Sequence, residues 1–270
     1  MGLFGKLFDK KECSICGGEI GLLGNRKLED GNLCKECAKK LSPWFDDRRH
    51  STVEQIAEQL EYREANREKV ASFSITRTLG ENMKVLLDED AGQFMVTSSS
   101  RLGEANPDVI SFSDVTGCVL DIDEERVELM RENAEGEEVS YNPPRYVYEY
   151  DFDMTIYVRN PYFDDIQFRL NPSTVSVEER KRENAATIRF GGSSLNFAEK
   201  FDPRQSVEYC QYKEMGEEIK AALMQARQQA REEKAAAEAP KVAVMCPFCG
   251  AQTIPTANGC CEYCDGALGK

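Results

Sequence analysis

The sequence predicts an α+β protein: a mostly antiparallel β domain closed by a C-terminal helix and set between two small cysteine-rich modules. Three observations lead there. Cysteines two residues apart recur at both ends, as "CSIC" and "CKEC" near the start and as "CPFCG" and "CCEYC" near the finish. Between them hydrophobicity alternates with a period of two, most clearly in "YVYEYDFDMTIYV" at 146–158, the pattern of a strand with one dry face. Two stretches, opening at Ser51 and Asp202, instead carry apolar residues at helical spacing.

The first unit, residues 1–50, is too short to bury a core unaided, so a metal must supply much of its stability. Cys13, Cys16, Cys34 and Cys37 form C-x2-C, seventeen residues, then C-x2-C. Zinc takes four soft ligands at the corners of a tetrahedron, and two tight knuckles supply two corners each. Gly17 and Gly18 ease the first turn. Such a site offers on the order of 10–16 kcal/mol of folding free energy. Iron in a rubredoxin-like arrangement and thiol redox chemistry are the other readings of this cluster.

Residues 51–72 read as a connecting helix, with a capping box at Ser51 and Glu54 and an apolar stripe of Val53, Ile56, Ala57 and Leu60. The β domain, 73–226, begins where the period falls to two. "MKVLL", "DEDAG" and "QFMVT" read as strand, turn and strand, and "VISFSDVTGCVLDI" and "RVELM" continue the pattern. In 146–158 the alternation places Tyr146, Tyr148, Tyr150, Phe152, Met154, Ile156 and Val158 on one face, and Glu149, Asp151, Asp153 and Thr155 on the other. "DIQFRL" and "ATIRF" supply two more strands, with "NPSTVSVEERKRENA" between them as a polar, mobile or short-helical loop. The closing helix takes Asp202 as N-cap and Pro203 in its first turn, with Val207, Cys210, Met215, Ile219, Leu223 and Ala226 as its apolar stripe. Residues 227–243 hold mostly alanine and charge, and about thirteen residues of them at about 1.5 Å each would make a helical stalk near 20 Å long.

The last unit, 244–270, reads as a zinc ribbon. Cys246 with Cys249, and Cys261 with Cys264, repeat the C-x2-C hook. Cys260 could pair with Cys264 only through a longer spacing, which makes it a spare sulfur packed under the knuckle or a reactive thiol. The expected cofactors are therefore two zinc ions per chain, with iron as the alternative at the N-terminal site. Cys118 and Cys210 fall on apolar patterns and read as core packing. His50 is the only histidine; beside Arg48 and Arg49 it reads as a surface linker residue.

Composition narrows the function. Eleven cysteines, an odd number, occur without a hydrophobic signal core, which points to a reducing, cytoplasmic setting and to metal ligation in place of disulfides. The formal net charge is −14, and two metal–thiolate sites would take it towards roughly −18. That field argues against nucleic acid, whose only opening would be Arg26, Lys27, Lys35, Lys39 and Lys40. No nucleophile elbow, phosphate-binding loop or dinucleotide fingerprint is present. Four cysteines also saturate a zinc ion, leaving no open position for catalysis. The expectation is a non-catalytic protein that binds or scaffolds a protein partner. A peripheral membrane role is the alternative, using Leu3, Phe4, Leu7 and Phe8 of "MGLFGKLFDKK" together with the β module.

The stretches "MGLFGKLFDKKECSICGGEIGLLGNRKLEDGNLCKECAKKLSPWF" and "TVEQIAEQLEYREANREKVASF" resemble a bacterial family known as domain of unknown function 4428. That resemblance implies zinc or iron binding at Cys13, Cys16, Cys34 and Cys37, and no activity. The middle of the chain is similar to the small β modules that follow this unit in such proteins. It implies a pleckstrin-homology-like barrel closed by a helix. The tail resembles a generic zinc ribbon.

Overall fold

The structure is a computed structural model that describes residues 11–178, 188–190, 193–195, 202–238, 243–256 and 258–268. The apolar turn with Leu3, Phe4, Leu7 and Phe8 lies outside the described residues. Two compact units divide the chain, Met1–Arg227 and Gln228–Lys270. The architecture is mixed α and β with antiparallel sheets, as the sequence predicts.

Within the first unit, short strands β1 (Lys11–Glu12), β2 (Glu19–Ile20), β3 (Arg26–Lys27) and β4 (Asn32–Leu33) pair as two ribbons and lead into the one-turn helix α1 (Lys35–Ala38). Leu28 and Leu33 are fully buried there, and Ile56 of helix α2 (Val53–Ser72) completes the same cluster. The capping box of α2 sits one residue later than the sequence suggests. Thr52 accepts from the Gln55 backbone and Gln55 reaches back to the Thr52 amide, while Ser51 donates its hydroxyl to the Asp47 carbonyl. The buried stripe also differs: Ala57 is exposed, and the stripe runs Ile56, Gln59, Arg63, Asn66, Val70.

Its polar members explain why apolar spacing could not show it. Asn106 and Asp108 follow the one-turn helix α3 (Leu102–Ala105), which comes after the strands β5 (Arg77–Leu79), β6 (Lys84–Asp88) and β7 (Gln93–Thr97). Arg63 donates to Asp108 Oδ1 at 2.7 Å, to the Asn106 carbonyl, and to the Lys40 carbonyl at 3.2 Å. Ser42 donates to the other Asp108 oxygen at 2.8 Å. Asn66 takes the Val109 amide and gives its own protons to Asn106 and to the Pro107 carbonyl. Burial pushes the Asp108 carboxyl up, and Arg63 and Ser42 oppose it.

Strands β5, β6, β7 and β8 (Ile110–Ser111) form one sheet in that order. In β6 and β7 four successive residues are buried, so both faces of this sheet are covered. α2 covers one face through Val70 and Phe73 against Leu86 and Met95. Asp88 closes the β6–β7 turn by accepting the Ala91 amide at 3.0 Å, and it accepts the Ser74 amide at 2.9 Å. Burial works against its charge, but these donors and Gln93 prevail and hold the carboxyl below its usual range.

The second sheet is organised by β10 (Glu138–Val158), which pairs along its length with β9 (Val115–Glu132). Its other edge is shared by β11 (Asp165–Arg169) and β12 (Val175–Glu178). β12 lies where the sequence suggests only a polar loop; four residues of alternating "VSVE" are too short a run to announce a strand. The dry face of β10 is also shorter than the alternation implies. Tyr150, Phe152, Met154, Ile156 and Val158 are buried, while Tyr146 and Tyr148 are half-exposed and stack with Arg126. On the opposite face Arg169 pairs with Asp151 at 2.7 Å and Asp153 at 3.1 Å. A short hairpin, β13 (Ile188–Phe190) with β14 (Ser193–Leu195), follows.

Helix α4 (Val207–Glu238) closes this sheet with a face that includes the expected Ile219 and Leu223 but begins with Tyr209 and Tyr212 in place of Val207 and Cys210. Asp202 caps a separate 3-10 turn, Pro203–Gln205, and Ser206 Oγ accepts the Tyr209 amide at the start of α4. Val207 is 84% exposed, whereas Tyr209, Tyr212, Ile219 and Leu223 are buried. Tyr209 meets Tyr150 and Phe152 edge-on, with ring centroids 4.8 and 5.3 Å apart. At Gly216 a Cβ would fall 2.7 Å from the Leu120 side chain of β9, so glycine sets how closely helix and sheet approach. The helix continues beyond Ala226, with exposed side chains over 231–237.

Two outcomes follow. Arg63→Met strands a buried carboxylate and should cost about 3–5 kcal/mol, with the Arg63→Met/Asp108→Leu pair recovering most of it. Urea unfolding followed by the fluorescence of Trp44, the sole tryptophan, measures both. Asp88→Ala should cost about 1–3 kcal/mol at neutral pH. Because the folded carboxyl is held low, its contribution exists above the unfolded value of about 4 and fades as pH falls through the lower folded one. Melts of wild type and variant should therefore converge in acid.

Candidate metal centres

Three of the four C-x2-C hooks adopt one backbone form. In each, the amide four residues after the first cysteine bonds to that cysteine's carbonyl: Gly17 to Cys13 at 2.8 Å, Gly250 to Cys246 at 2.9 Å, Asp265 to Cys261 at 2.9 Å. In each, the cysteine's own amide bonds five residues ahead, to Gly18, Ala251 and Gly266 at 2.8–2.9 Å. The turn requires a left-handed residue at its fourth bond, and φ is +70° at Gly17, +73° at Gly250 and +53° at Asp265. Glycine adopts this region without strain, and aspartate is among the few other residues that tolerate it. The fourth hook is different: Cys34 is the N-cap of α1 and accepts the Cys37 amide at 3.3 Å.

These turns bring the sulfurs together. The Sγ atoms of Cys13, Cys16, Cys34 and Cys37 lie within 4.8 Å of one another, and so do those of Cys246, Cys249, Cys261 and Cys264. Each group could hold a metal ion. The chemistry of the donor set fits: a tetrahedral ion with metal–sulfur bonds of about 2.3 Å has sulfur–sulfur edges of about 3.8 Å. Observed edges between hooks are 3.8 Å for Cys16–Cys34, 3.6 Å for Cys246–Cys264 and 3.7 Å for Cys249–Cys261. A disulfide would need about 2.0 Å.

The electrostatics of both groups favour giving up protons to a cation. Burial raises Cys13, but the amides of Cys16, Cys34 and Ile15 outweigh it and bring the thiol down to about 6. Cys246 is likewise raised by burial and drawn down to about 6, chiefly by the Cys249 and Phe248 amides. The last protons are held hard. Burial and the neighbouring sulfurs of Cys34, Cys16 and Cys13 push Cys37 well up. At Cys264 the Gly266 amide pulls down, yet Cys249, burial and Cys246 prevail and drive it up to about 12. Four thiols crowded without a cation cannot all ionise, and a divalent ion resolves the conflict.

Cys260 stays outside the second group. It forms a bridge with Ala267, and its thiol points to the Asn258 carbonyl at 3.7 Å. Cys118 is buried, which pushes its thiol up to about 11. Cys210 is only half-buried and donates to the Arg204 carbonyl at 3.2 Å. His50 is exposed and bonds Asp47 at 2.7 Å. The basic set divides: Lys39 pairs with Glu36 at 3.0 Å, while Arg26 and Lys27 line a cavity with Arg48 and Arg49. Sequence spacing gives no sign of that last grouping, because it forms only when the 3-10 turn Asp47–His50 meets β3 in the fold.

Residues 11–59 match a family model described as "Domain of unknown function (DUF4428)". The match spans the first four-cysteine group and the opening turns of α2. No curated protein and no solved structure matches the chain.

Purified without added metal or chelator, the chain should show two metal ions in native mass spectrometry. Cys13→Ser and Cys246→Ser should each remove one, and Cys260→Ser should leave both.

Proposed function

We propose that this chain is a non-catalytic, cytoplasmic protein in which each four-cysteine group holds a zinc ion and the C-terminal ribbon docks on a protein partner. The reading of the metal rests on soft sulfur ligands at tetrahedral spacing. With Cys13, Cys16, Cys34 and Cys37 on one ion and Cys246, Cys249, Cys261 and Cys264 on the other, zinc supplies cross-linking, and no position is left for water or substrate. Iron would occupy the same sulfurs, and a visible absorbance band would betray it where zinc is colourless.

The observation that carries partner binding is the surface of the ribbon. Its core is only Cys246, Cys261 and Leu268. Met245, Phe248 and Tyr263 are 74%, 69% and 69% exposed, and Ile254 and Val244 are 47% and 39% exposed. Phe248 is also positioned, not loose: its ring lies over Gly266, where a Cβ would come within 2.5 Å of it. Exposed, oriented aromatics of this kind are the usual anchors of protein interfaces.

The test is a photo-crosslinking residue at Ile254 in the full-length protein, read by mass spectrometry. A discrete adduct is expected, abolished by Phe248→Ser while two metal ions per chain are retained. An adduct pattern unchanged by Phe248→Ser would sink the reading.

A further inference from the structure

Beside the first metal group lies a cavity of about 750 Å³ lined by four cations, Arg26, Lys27, Arg48 and Arg49, against the one carboxylate of Glu29. The cations make no ion pair among the described residues, and the carboxylate adjoining Arg48, that of Asp47, is engaged by His50. Arg48 is held in place by donating to the Lys27 carbonyl at 2.7 Å. Burial, and then the charges of Arg49 and Arg26, press against its protonated form. Cations crowded and partly desolvated without a counter-charge form a site for an anion.

The second observation is independent of charge. The loop between β2 and β3 is closed by the Gly24 amide on the Gly21 carbonyl at 2.9 Å. Its tip carries Leu22 and Leu23, 81% and 90% exposed, which with Val207 are the most exposed large apolar residues among those described in the first unit. Asn25, the next residue but one, already lines the cavity. A nucleic acid would use the cations and leave the leucines in water. An apolar pair beside a cationic cavity with ample room for a phosphate instead matches the layering of a lipid interface, with headgroup phosphate outside and acyl chains within.

We propose that this face docks on an anionic phospholipid surface, with a headgroup phosphate among Arg26, Arg48 and Arg49 and with Leu22 and Leu23 at the acyl boundary. The net charge of −14 does not prevent it. Screening limits each charge to about 8 Å at physiological salt, so the local cations decide the encounter. This surface is distinct from the ribbon, and neither reading depends on the other.

The test is co-sedimentation of the full-length, metal-loaded protein with vesicles of phosphatidylcholine alone and with about one-third phosphatidylglycerol. Binding is expected only to the mixed vesicles. Leu22→Ser/Leu23→Ser and Arg26→Gln/Arg49→Gln should each weaken it about tenfold, with metal content and Trp44 fluorescence unchanged as the check on folding. Absence of binding to mixed vesicles overturns the proposal. So does binding that survives the leucine changes, since Leu3, Phe4, Leu7 and Phe8 remain intact in that variant and would then be the anchor. Retention on duplex oligonucleotide that the arginine variant loses and the leucine variant keeps would overturn it in favour of nucleic acid.

Discussion

Arg63 is the point on which the first unit turns. Its guanidinium reaches the Lys40 carbonyl at the end of the metal module, the Asn106 carbonyl, and Asp108 on the approach to β8. Ser42 of the module bonds the same carboxylate. One helix residue therefore joins the four-cysteine segment to a β-sheet that has its own hydrophobic core. A buried ion pair adds little net stability over an apolar contact, but it is demanding about geometry. Two apolar surfaces could slide; these four directed hydrogen bonds cannot do so without leaving one unmade. The arrangement fixes the module's orientation on the sheet, and so where the arginine cavity and the leucine loop stand.

The two cysteine groups share a turn and differ in what surrounds it. In the first, Leu28, Leu33, Leu41 and Ile56 form a small core around Cys13 and Cys37, so that metal and apolar burial act together. In the second, among the described residues, Leu268 alone joins the cysteines. An ion at the second group would therefore have far more of the fold to hold than one at the first. The substitution of Asp265 for the glycine found at the other two hooks adds strain to a unit with little else to offset it.

How much of this was legible follows from what kind of signal each feature leaves. The cysteine hooks are local in sequence and chemically specific, so the four-sulfur groups and the odd position of Cys260 could be read directly. Strand alternation was readable wherever one face is dry and the other wet, as in Phe152 to Val158. It misled at Tyr146 and Tyr148, which stay paired within the sheet but are only half-buried, with Arg126 over their rings, while Val147 between them is buried on the other face. In α4 the expected Ile219 and Leu223 are buried, but the face opens with the aromatic Tyr209 and Tyr212, which an aliphatic stripe counted from Val207 passes over. The junction at Arg63 left no trace at all. Arginine, asparagine and aspartate at helical spacing look like a solvated face until a partner over forty residues away is known to lie opposite.

A metal-held module has a freedom that a domain with a larger core lacks. When ions cross-link the backbone, apolar residues are not needed inside to fold the chain, and a few can be left outside without loss of the fold. Leu22 and Leu23 in one module, and Phe248 and Tyr263 in the other, are such residues. The β domain between them behaves differently. Its large apolar residues on β9 and β10 that reach the surface, Val119, Met130 and Tyr157, are each only 43–46% exposed. Apart from Val207 at the start of α4, the most exposed large apolar residues among those described therefore lie on the cysteine modules, while the polar junction with α2 sets the position of the first. Specificity for a surface or a partner then changes by altering a few exposed side chains on a metal-clamped turn, without disturbing the core that holds the turn in place.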